Sequence, residues 1–351
     1  MIQPFVFQSP APRVLFGAGT VQAVPAELKL HKITKAFVLC SGSNEALART
    51  IAATAPAGTE VLRLMSKAIS SEDFERATQH AKEAGANGFI AVGGGTPIGL
   101  AKAIAANTGL PYIGITTTYS GSEMATNWNY GRGAEARTGV SNTALPATAI
   151  YDPEVTLSLP PVLSAQSGMN AIAHAVESLY GEGRSPMVEQ MAEAAVRHLG
   201  HSLPRVVAKP DDMEARTEAF YGAWLAAAFR AQVGVEHAIA QKVRQRYGLS
   251  HAGTHAVVTP YAIAFNRSAA PEAMQAIKRA LDVEDAAQGL YELNVRLGVP
   301  TGLKDLGMKA ADIEGAADLV GASPIPNPRP ISRADLVDLI TQAFHGKAPR
   351  F

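Results

Sequence analysis

Cysteine is almost absent. Cys40 is the only one in 351 residues, which excludes an internal disulfide and any zinc site built on thiolates. Its place at the end of Ala36-Phe37-Val38-Leu39 suits a buried strand residue. Net charge is absent as well: 31 Lys and Arg balance 31 Asp and Glu. Nothing in the overall electrostatics therefore draws the chain to nucleic acid or to an anionic membrane. No apolar run reaches the ~18 residues of a membrane span. The start, Met1-Ile2-Gln3-Pro4, lacks the basic-then-apolar order of a signal peptide, so the expected location is the cytoplasm. Neither G-x-G-x-x-G nor G-x-x-x-x-G-K-[ST] occurs, which sets aside the common dinucleotide fingerprint and the P-loop. Aromatics are few, yet 47% of residues are hydrophobic, enough for a sizeable core and too many for a disordered chain.

What is present centres on Gly93-Gly94-Gly95-Thr96-Pro97-Ile98-Gly99. It follows the apolar run Gly88-Phe89-Ile90-Ala91-Val92 and opens an Ala-rich stretch to Asn107, which reads as strand, tight turn and helix. Three glycines remove every Cβ from the turn, so a ligand can touch backbone there. Thr96 suits the N-cap and Pro97 the first helical position. Free amides and the positive dipole end would then make an anion site, most often for a cofactor phosphate. The plainer alternative is a turn that only lets helix and sheet pack closely.

Phe5 to Phe16 alternate around two prolines as an edge hairpin would, closed by Gly17-Ala18-Gly19. Strands are then expected at Lys35–Cys40, Glu60–Met65, Phe89–Val92, Pro111–Ile115 and Ala149–Tyr151. Helices are expected at Thr20–Leu30, Asn44–Ala53, Asp73–Gly85 and after the glycine turn. Such alternation predicts a Rossmann-like, doubly wound parallel sheet with ligands at the strand C-termini, where Ser41 and Gly93, Gly94 and Gly95 should lie. The hydroxyl-rich Thr116-Thr117-Thr118-Tyr119-Ser120-Gly121-Ser122-Glu123 could bond a ribose or phosphate, or could be a capped turn. Tyr130 to Asn142 read as a hairpin or loop. Beyond Pro160-Pro161 almost every segment has helical period, including Ser164–Tyr180, Pro186–His198, Asp211–Val233, His237–Tyr247 and Thr254–Phe265. The expected division is a dinucleotide domain over residues 1–160 and an all-α substrate domain over 161–351, with a substrate cleft between them.

Histidines recur at helical spacing. Asn170 and His174, His237 and Gln241, and His251 and His255 are each four apart and so share a helix face. Any one alone is more often a hydrogen-bonded core or surface histidine, the reading adopted for His31, His80, His198, His201 and His345. Three helical segments each turning an imidazole inward could converge.

The glycine turn, Thr116–Glu123, Tyr151-Asp152-Pro153 and Ser167-Gly168-Met169-Asn170-Ala171-Ile172-Ala173-His174-Ala175-Val176-Glu177 resemble the iron-containing alcohol dehydrogenase superfamily. Within it they are most similar to the maleylacetate reductases, as are His251-Ala252-Gly253-Thr254-His255 and Asn327-Pro328-Arg329-Pro330. The resemblance spans nearly the whole chain. It implies a domain that binds NADH or NADPH through Gly93, Gly94, Gly95, Thr96, Thr116, Thr117, Tyr119, Ser122 and Ser41. It also implies hydride reduction of the conjugated C=C of 2-maleylacetate to 3-oxoadipate.

Metal-using relatives hold a divalent ion with an Asp and three His. The matching positions here are Asn170, His174, His237 and His251, and a neutral amide is a poor anchor for a hard dication. No metal is therefore expected; one that did bind would rest on His174, His237 and His251. Hydride addition beside a carbonyl builds an enolate, which needs a donor at oxygen and a proton at carbon. His174, His237 and His251, with His255, Asn170 and Gln241 around them, are the expected catalytic set. Tyr119 and Arg137 are the expected substrate contacts.

The chain departs from the branch at three places. Gln241 stands where a second His is usual. The loop Arg132–Leu145 keeps only Arg137-Thr138-Gly139 of the expected pattern, and Ser66-Lys67-Ala68 replaces a His-Thr-Pro. Other readings thus stay open: a different enone or carbonyl reduction or a cyclisation, a metal-dependent alcohol dehydrogenase, or a cofactor-binding protein without catalysis. No carboxylate follows the second strand, so a ribose 2′-phosphate is not repelled and both cofactors are expected to be tolerated. By analogy with relatives a homodimer is expected, with the N-terminal edge free to pair with a second copy.

Overall fold

In the computed structural model, residues 5, 12–66, 68–229 and 233–350 are described. The chain forms two compact units, Pro10–Leu159 and one built on Pro160–Phe351.

The first unit holds β1 (Arg13–Phe16), α1 (Val24–Leu30), β2 (Phe37–Cys40), α2 (Glu45–Thr54), β3 (Glu60–Arg63), α3 (Ser71–Glu83), β4 (Phe89–Gly93), α4 (Gly95–Thr108) and β5 (Tyr112–Thr116). An antiparallel hairpin of β6 (Asn127–Tyr130) and β7 (Arg137–Val140) follows, and β8 (Thr148–Tyr151) completes it. Six strands make one parallel sheet in the order β1-β8-β5-β4-β2-β3. From β2 the chain winds outward to β3, then returns beyond β2 to β4 and continues through β5. The C-terminal ends of β2 and β4 thus flank the reversal, where open α/β sheets bind ligands.

Alternation along the strands fills both faces of this sheet. Val38, Cys40, Ile90, Val92, Ile113 and Ile115 pack with Leu28 of α1 and Ala48 and Ile51 of α2. Phe37, Leu39, Phe89, Ala91 and Tyr112 pack on the other side with Ala77 of α3 and Ile98, Ala101 and Ile104 of α4. The rings of Phe37, Phe89 and Tyr112 stack across three strands, each centroid 5.2 Å from the next. Each such ring or Leu, Ile and Val side chain contributes about 1.5–3 kcal/mol by leaving water.

The N-terminal edge segment is described in part. Arg13–Phe16, the second half of that expected edge segment, forms β1 and pairs in parallel with Thr148–Tyr151. Gly17, whose amide donates to the Tyr151 carbonyl at 3.0 Å, carries the chain off that edge. Residues 6–11 of the expected hairpin lie outside the described residues.

The second unit is helical: α5 (Pro161–Ser178), α6 (Pro186–Ala208), α7 (Met213–Ala227), α8 (Val235–Tyr247), α9 (His251–Asn266), α10 (Pro271–Leu281), α11 (Ala286–Arg296), α12 (Ile313–Gly321) and α13 (Arg333–His345). α6 runs to Ala208 instead of stopping at His198, because Leu199, Leu203 and Val206 extend its buried stripe past Pro204. α7 ends at Ala227, short of the expected Val233; residues 230–232 are not among those described. Small residues let the helices approach. A Cβ on Gly168 would lie 2.5 Å from Leu203, so only glycine permits the observed closeness of α5 and α6. Val235, Ile239 and Val243 of α8 share a core with Val257, Val258 and Tyr261 of α9 and Leu336, Leu339 and Ile340 of α13.

Candidate active site

The glycine turn begins one strand end from β2. Gly93 has φ 145, and a Cβ on it would lie 2.7 Å from Pro97 Cγ and 3.2 Å from Asn44 Nδ2. The helix opens earlier than expected. Gly94 is the extended N-cap and Gly95 the first helical residue, so Thr96 is not the cap and Pro97 sits third. Proline is tolerated there because the first-turn amides have no intrahelical acceptor in any case. A Cβ on Gly94 would meet Thr118 Cγ2 at 2.7 Å, whereas one on Gly95 would meet nothing within 4 Å. The turn is therefore walled on one side and open over the first helical amides. An anionic group such as a pyrophosphate fits that cradle.

The hydroxyl-rich loop closes over the wall. Thr117 N–H donates to the Gly93 carbonyl at 3.1 Å, and Thr116 Oγ1 donates to the Thr118 carbonyl at 3.3 Å. Thr116, Thr117 and Tyr119 are buried, and Ser122 is half-buried in the short turn Ser122–Met124. Thr118 Oγ1 and Ser120 Oγ are buried with no partner among the described residues. At the tip of β2, Asn44 Nδ2 donates to Ser41 Oγ at 2.9 Å and to Ser43 Oγ at 3.3 Å. Beneath the loop lies a fully buried carboxylate that sequence reasoning did not single out. Glu123 accepts from the Tyr151 hydroxyl, and its Oε2 has no partner. Burial raises its pKa, against the pull of Tyr151 and Lys102.

In the helical unit the imidazoles converge. Ring centroids of His174 and His237 are 4.2 Å apart, those of His237 and His255 4.7 Å, and those of His251 and His255 4.8 Å. His237 Nε2 lies 3.0 Å from His174 Nδ1. Two further carboxylates, also missed from the sequence, organise the cluster. Glu177 of α5 accepts from the amides of Gly234 and Glu236, each at 2.8 Å, which caps the positive end of α8. A Cβ on Gly234 would stand 3.0 Å from that carboxylate, so glycine is required there. Glu177 also accepts from His237 Nδ1 at 2.8 Å, and Glu236 lies 2.7 Å from the same nitrogen. Glu236 takes His255 Nδ1 at 2.9 Å as well. The signal for Glu177 was its place one turn beyond His174; for Glu236 it was adjacency to His237.

Charge follows from this geometry. Burial pulls the His237 pKa down, but Glu236 and Glu177 outweigh it and lift it to about 10. Burial likewise opposes ionisation of Glu236, yet the imidazoles of His255 and His237 against it hold it well below the carboxylate range. His174 is pushed well below its usual value by burial and by repulsion from His237 and His255. His251 falls to about 3 through desolvation of its ring and the neighbouring His255, although the residue as a whole stays exposed at the start of α9. His237 is thus the charged imidazole, able to donate through Nε2 to a neutral His174. His255 Nε2 and Asn170 Oδ1 are buried without partners among the described residues. Gln241 is exposed one turn past His237, and Arg137 is exposed on β7 with its guanidinium donating to the Ala134 and Ala136 carbonyls.

The donor set was tested against a resident metal. The ligand atoms of Glu236, His237 and His255 lie within 4.8 Å of one another. Glu177 and Glu236 are engaged at the Nδ1 atoms of His237 and His255, however, and Asn170, at the position matched to the Asp of metal-using relatives, offers a neutral amide. Hard dications are held by anionic oxygen, which an amide does not supply. The residues do not fit the ion held by an Asp and three His.

A parallel sheet with a glycine cradle at its reversal, followed by a helical unit centred on imidazoles, defines a dehydrogenase-type architecture. The sequence matches the pattern of iron-containing alcohol dehydrogenases over residues 11–153 and its C-terminal counterpart over residues 164–344. The chain belongs to the iron-containing alcohol dehydrogenase family and is an oxidoreductase. Within that family it falls in the maleylacetate reductase branch. It is 41% identical to the maleylacetate reductase of Sphingobium indicum, over 98% of this chain and 99% of that one. It is 40% identical to the one from Burkholderia cepacia, over 98% and 99%. The crystal structure of the Agrobacterium tumefaciens maleylacetate reductase superposes with a TM-score of 0.95 at 34% identity, covering 99% of this chain and all of that one. Among the described residues no helix is long and apolar enough to cross a membrane.

Proposed function

We propose that this chain reduces the conjugated C=C of 2-maleylacetate to 3-oxoadipate with a nicotinamide cofactor and without a resident metal. The observation that carries the reading is the buried imidazole cluster, with His237 charged between two carboxylates and bonded to His174. When bound, the dinucleotide supplies the hydride. The cradle of Gly93, Gly94, Gly95 and Thr96 takes its pyrophosphate, and Thr116, Thr117, Tyr119, Ser122 and Ser41 line the remainder. The enolate formed next needs positive charge at oxygen, which His237 supplies through Nε2 directly or through His174. His255 and His251 stand close enough to the same rings to orient the substrate carbonyl, and Asn170, one turn before His174 on α5, is assigned to the same set. Reprotonation at carbon then draws on the proton held at His237 Nε2.

NADH and NADPH both suit the β2 tip. No carboxylate follows Cys40 until Glu45, which is paired with Arg49 and Arg63, and the Arg63 guanidinium lies across Gly42, where a Cβ would meet it at 2.9 Å. The assay is loss of reduced nicotinamide absorbance with 2-maleylacetate; no turnover at high enzyme concentration would reject the reading. Metal analysis of protein purified without chelator tests the metal-free part, and a stoichiometric divalent ion would overturn it. A homodimer paired along the β1 edge is part of the same proposal, and light scattering at micromolar concentration checks it.

A second reading keeps the reaction type but changes the substrate to another enone or carbonyl. It is favoured by Gln241, which cannot transfer a proton near neutral pH, and by Arg137, whose guanidinium is engaged within its own hairpin.

A further inference from the structure

An anionic substrate needs a cation, and the arginine expected from the sequence is turned to its own hairpin. The helix that carries His237 offers another. His237, Gln241 and Arg244 are spaced i, i+4 and i+7 on α8 and form one stripe along it. The stripe passes from a buried imidazole to an exposed amide to a half-buried guanidinium. Across the short turn lies His251, the first residue of α9, whose charged form Arg244 opposes.

Arg244 is unlike comparable arginines in this fold. Half-buried Arg76 is met by Asp73 at 2.9 Å and half-buried Arg329 by Asp335 at 3.1 Å. Fully buried Arg216 bonds the Pro210 carbonyl at 2.7 Å and Ser164 at 3.3 Å. Arg244 Nε is buried with no hydrogen-bond partner, and no carboxylate among the described residues pairs with the guanidinium. Its cationic neighbours turn elsewhere: Lys242 Nζ donates to the carbonyls of Leu319 and Val320. A guanidinium nitrogen stripped of water and left unpaired is destabilising unless an acceptor arrives to complete it. Its planar fork matches a carboxylate bidentately.

We propose that Arg244 binds a carboxylate of the substrate beside the imidazoles and so determines specificity for anionic substrates. The inference deepens the reading above and rests on it for the site, though not for the identity of the acid. Removing the cation lowers affinity for the anion and leaves the chemical step in place.

The experiment compares the full-length protein with Arg244→Gln and Arg244→Lys. Steady-state kinetics with 2-maleylacetate and thermal shift with adipate, an unreactive dicarboxylate, are the readouts. Loss of one charged, bidentate contact corresponds to about a tenfold to hundredfold rise in KM. We expect that rise in Arg244→Gln with kcat changed little, a smaller rise in Arg244→Lys, and unchanged dinucleotide affinity. The adipate shift seen in the wild type should vanish in Arg244→Gln. The melting temperature without ligand should hold or rise, since an unpaired buried charge has been removed. A KM and adipate shift unaltered by Arg244→Gln would overturn the inference, as would a variant that melts well below wild type or loses kcat instead of affinity. If the wild type ignores 2-maleylacetate yet shows an Arg244-dependent adipate shift, the anion site stands and the substrate assignment falls.

Discussion

Two carboxylates, each 1% exposed or less, lie in the two units and behave oppositely. Glu123, under the glycine turn, has its pKa raised by burial. Glu236, buried just as deeply, has its pKa lowered because His255 and His237 stand against it. Desolvation is the leading influence on both, so the difference lies in what faces them. One unit presents bare backbone amides and glycine at the turn proposed to hold the cofactor, with a carboxylate that tends to keep its proton. The other is built from charge, with an anion and an imidazolium locked together. Holding a phosphate needs shape and dipoles, whereas moving a proton needs a charged group poised among neutral ones.

The sharpest way to break the contrast is Glu236→Gln. Removing one partner of a buried ion pair strands the other, at about 3–5 kcal/mol, and should lower the melting temperature of the whole protein. Glu236 contributes stability that is present above its unfolded pKa of about 4.3 and lost as pH falls through its lower folded value. The gap between wild type and variant should therefore be wide near pH 6 and narrow toward pH 3; a constant gap would contradict the assignment. His237→Gln comes next. It should reduce kcat by about 10²–10⁴, the usual worth of a positioned proton donor, with dinucleotide affinity unchanged by fluorescence titration.

The two neighbouring glycines sharpen the other half. Gly94→Ala forces a Cβ to 2.7 Å from Thr118 and should destabilise by about 1–3 kcal/mol, the range for overpacking. Gly95→Ala meets no protein atom within 4 Å, so its melting temperature should match wild type. Only a ligand seated over the first amides can feel that methyl, and the dinucleotide dissociation constant should rise. Equal affinity would mean that nothing binds there. The smallest effect belongs to Glu123→Gln. The contribution of the raised Glu123 pKa is fully present below about pH 4.3 and fades as pH rises through the folded value. The neutral variant should therefore gain on wild type between pH 4 and pH 8, by about 1 kcal/mol or less.

Much of this was legible beforehand because it is local. Short continuous apolar runs such as Phe37–Cys40 and Phe89–Val92 marked the strands, and the spacing of His174, His237, His251 and His255 marked helix faces. What was missed shares a cause. The pairing of β1 with β8 carried no local signal, because that partner lies far along the chain. The helix start at Gly95 defeated capping rules because Thr118, brought in by β5, walls the turn. Glu177 and Glu236 carried only a weak signal, their nearness to His174 and His237 along the chain, since a carboxylate in a helix is ordinarily solvated.

By itself the sequence determined the order of strands and helices, the bare glycine turn and the supply of imidazoles, because these depend on residue type and spacing along one segment. Only the tertiary structure decided that His237 is charged and that Arg244 Nε is buried without a partner among the described residues. A proton's affinity for a side chain depends on burial and on neighbours from other helices, and those distances exist only once the chain has folded.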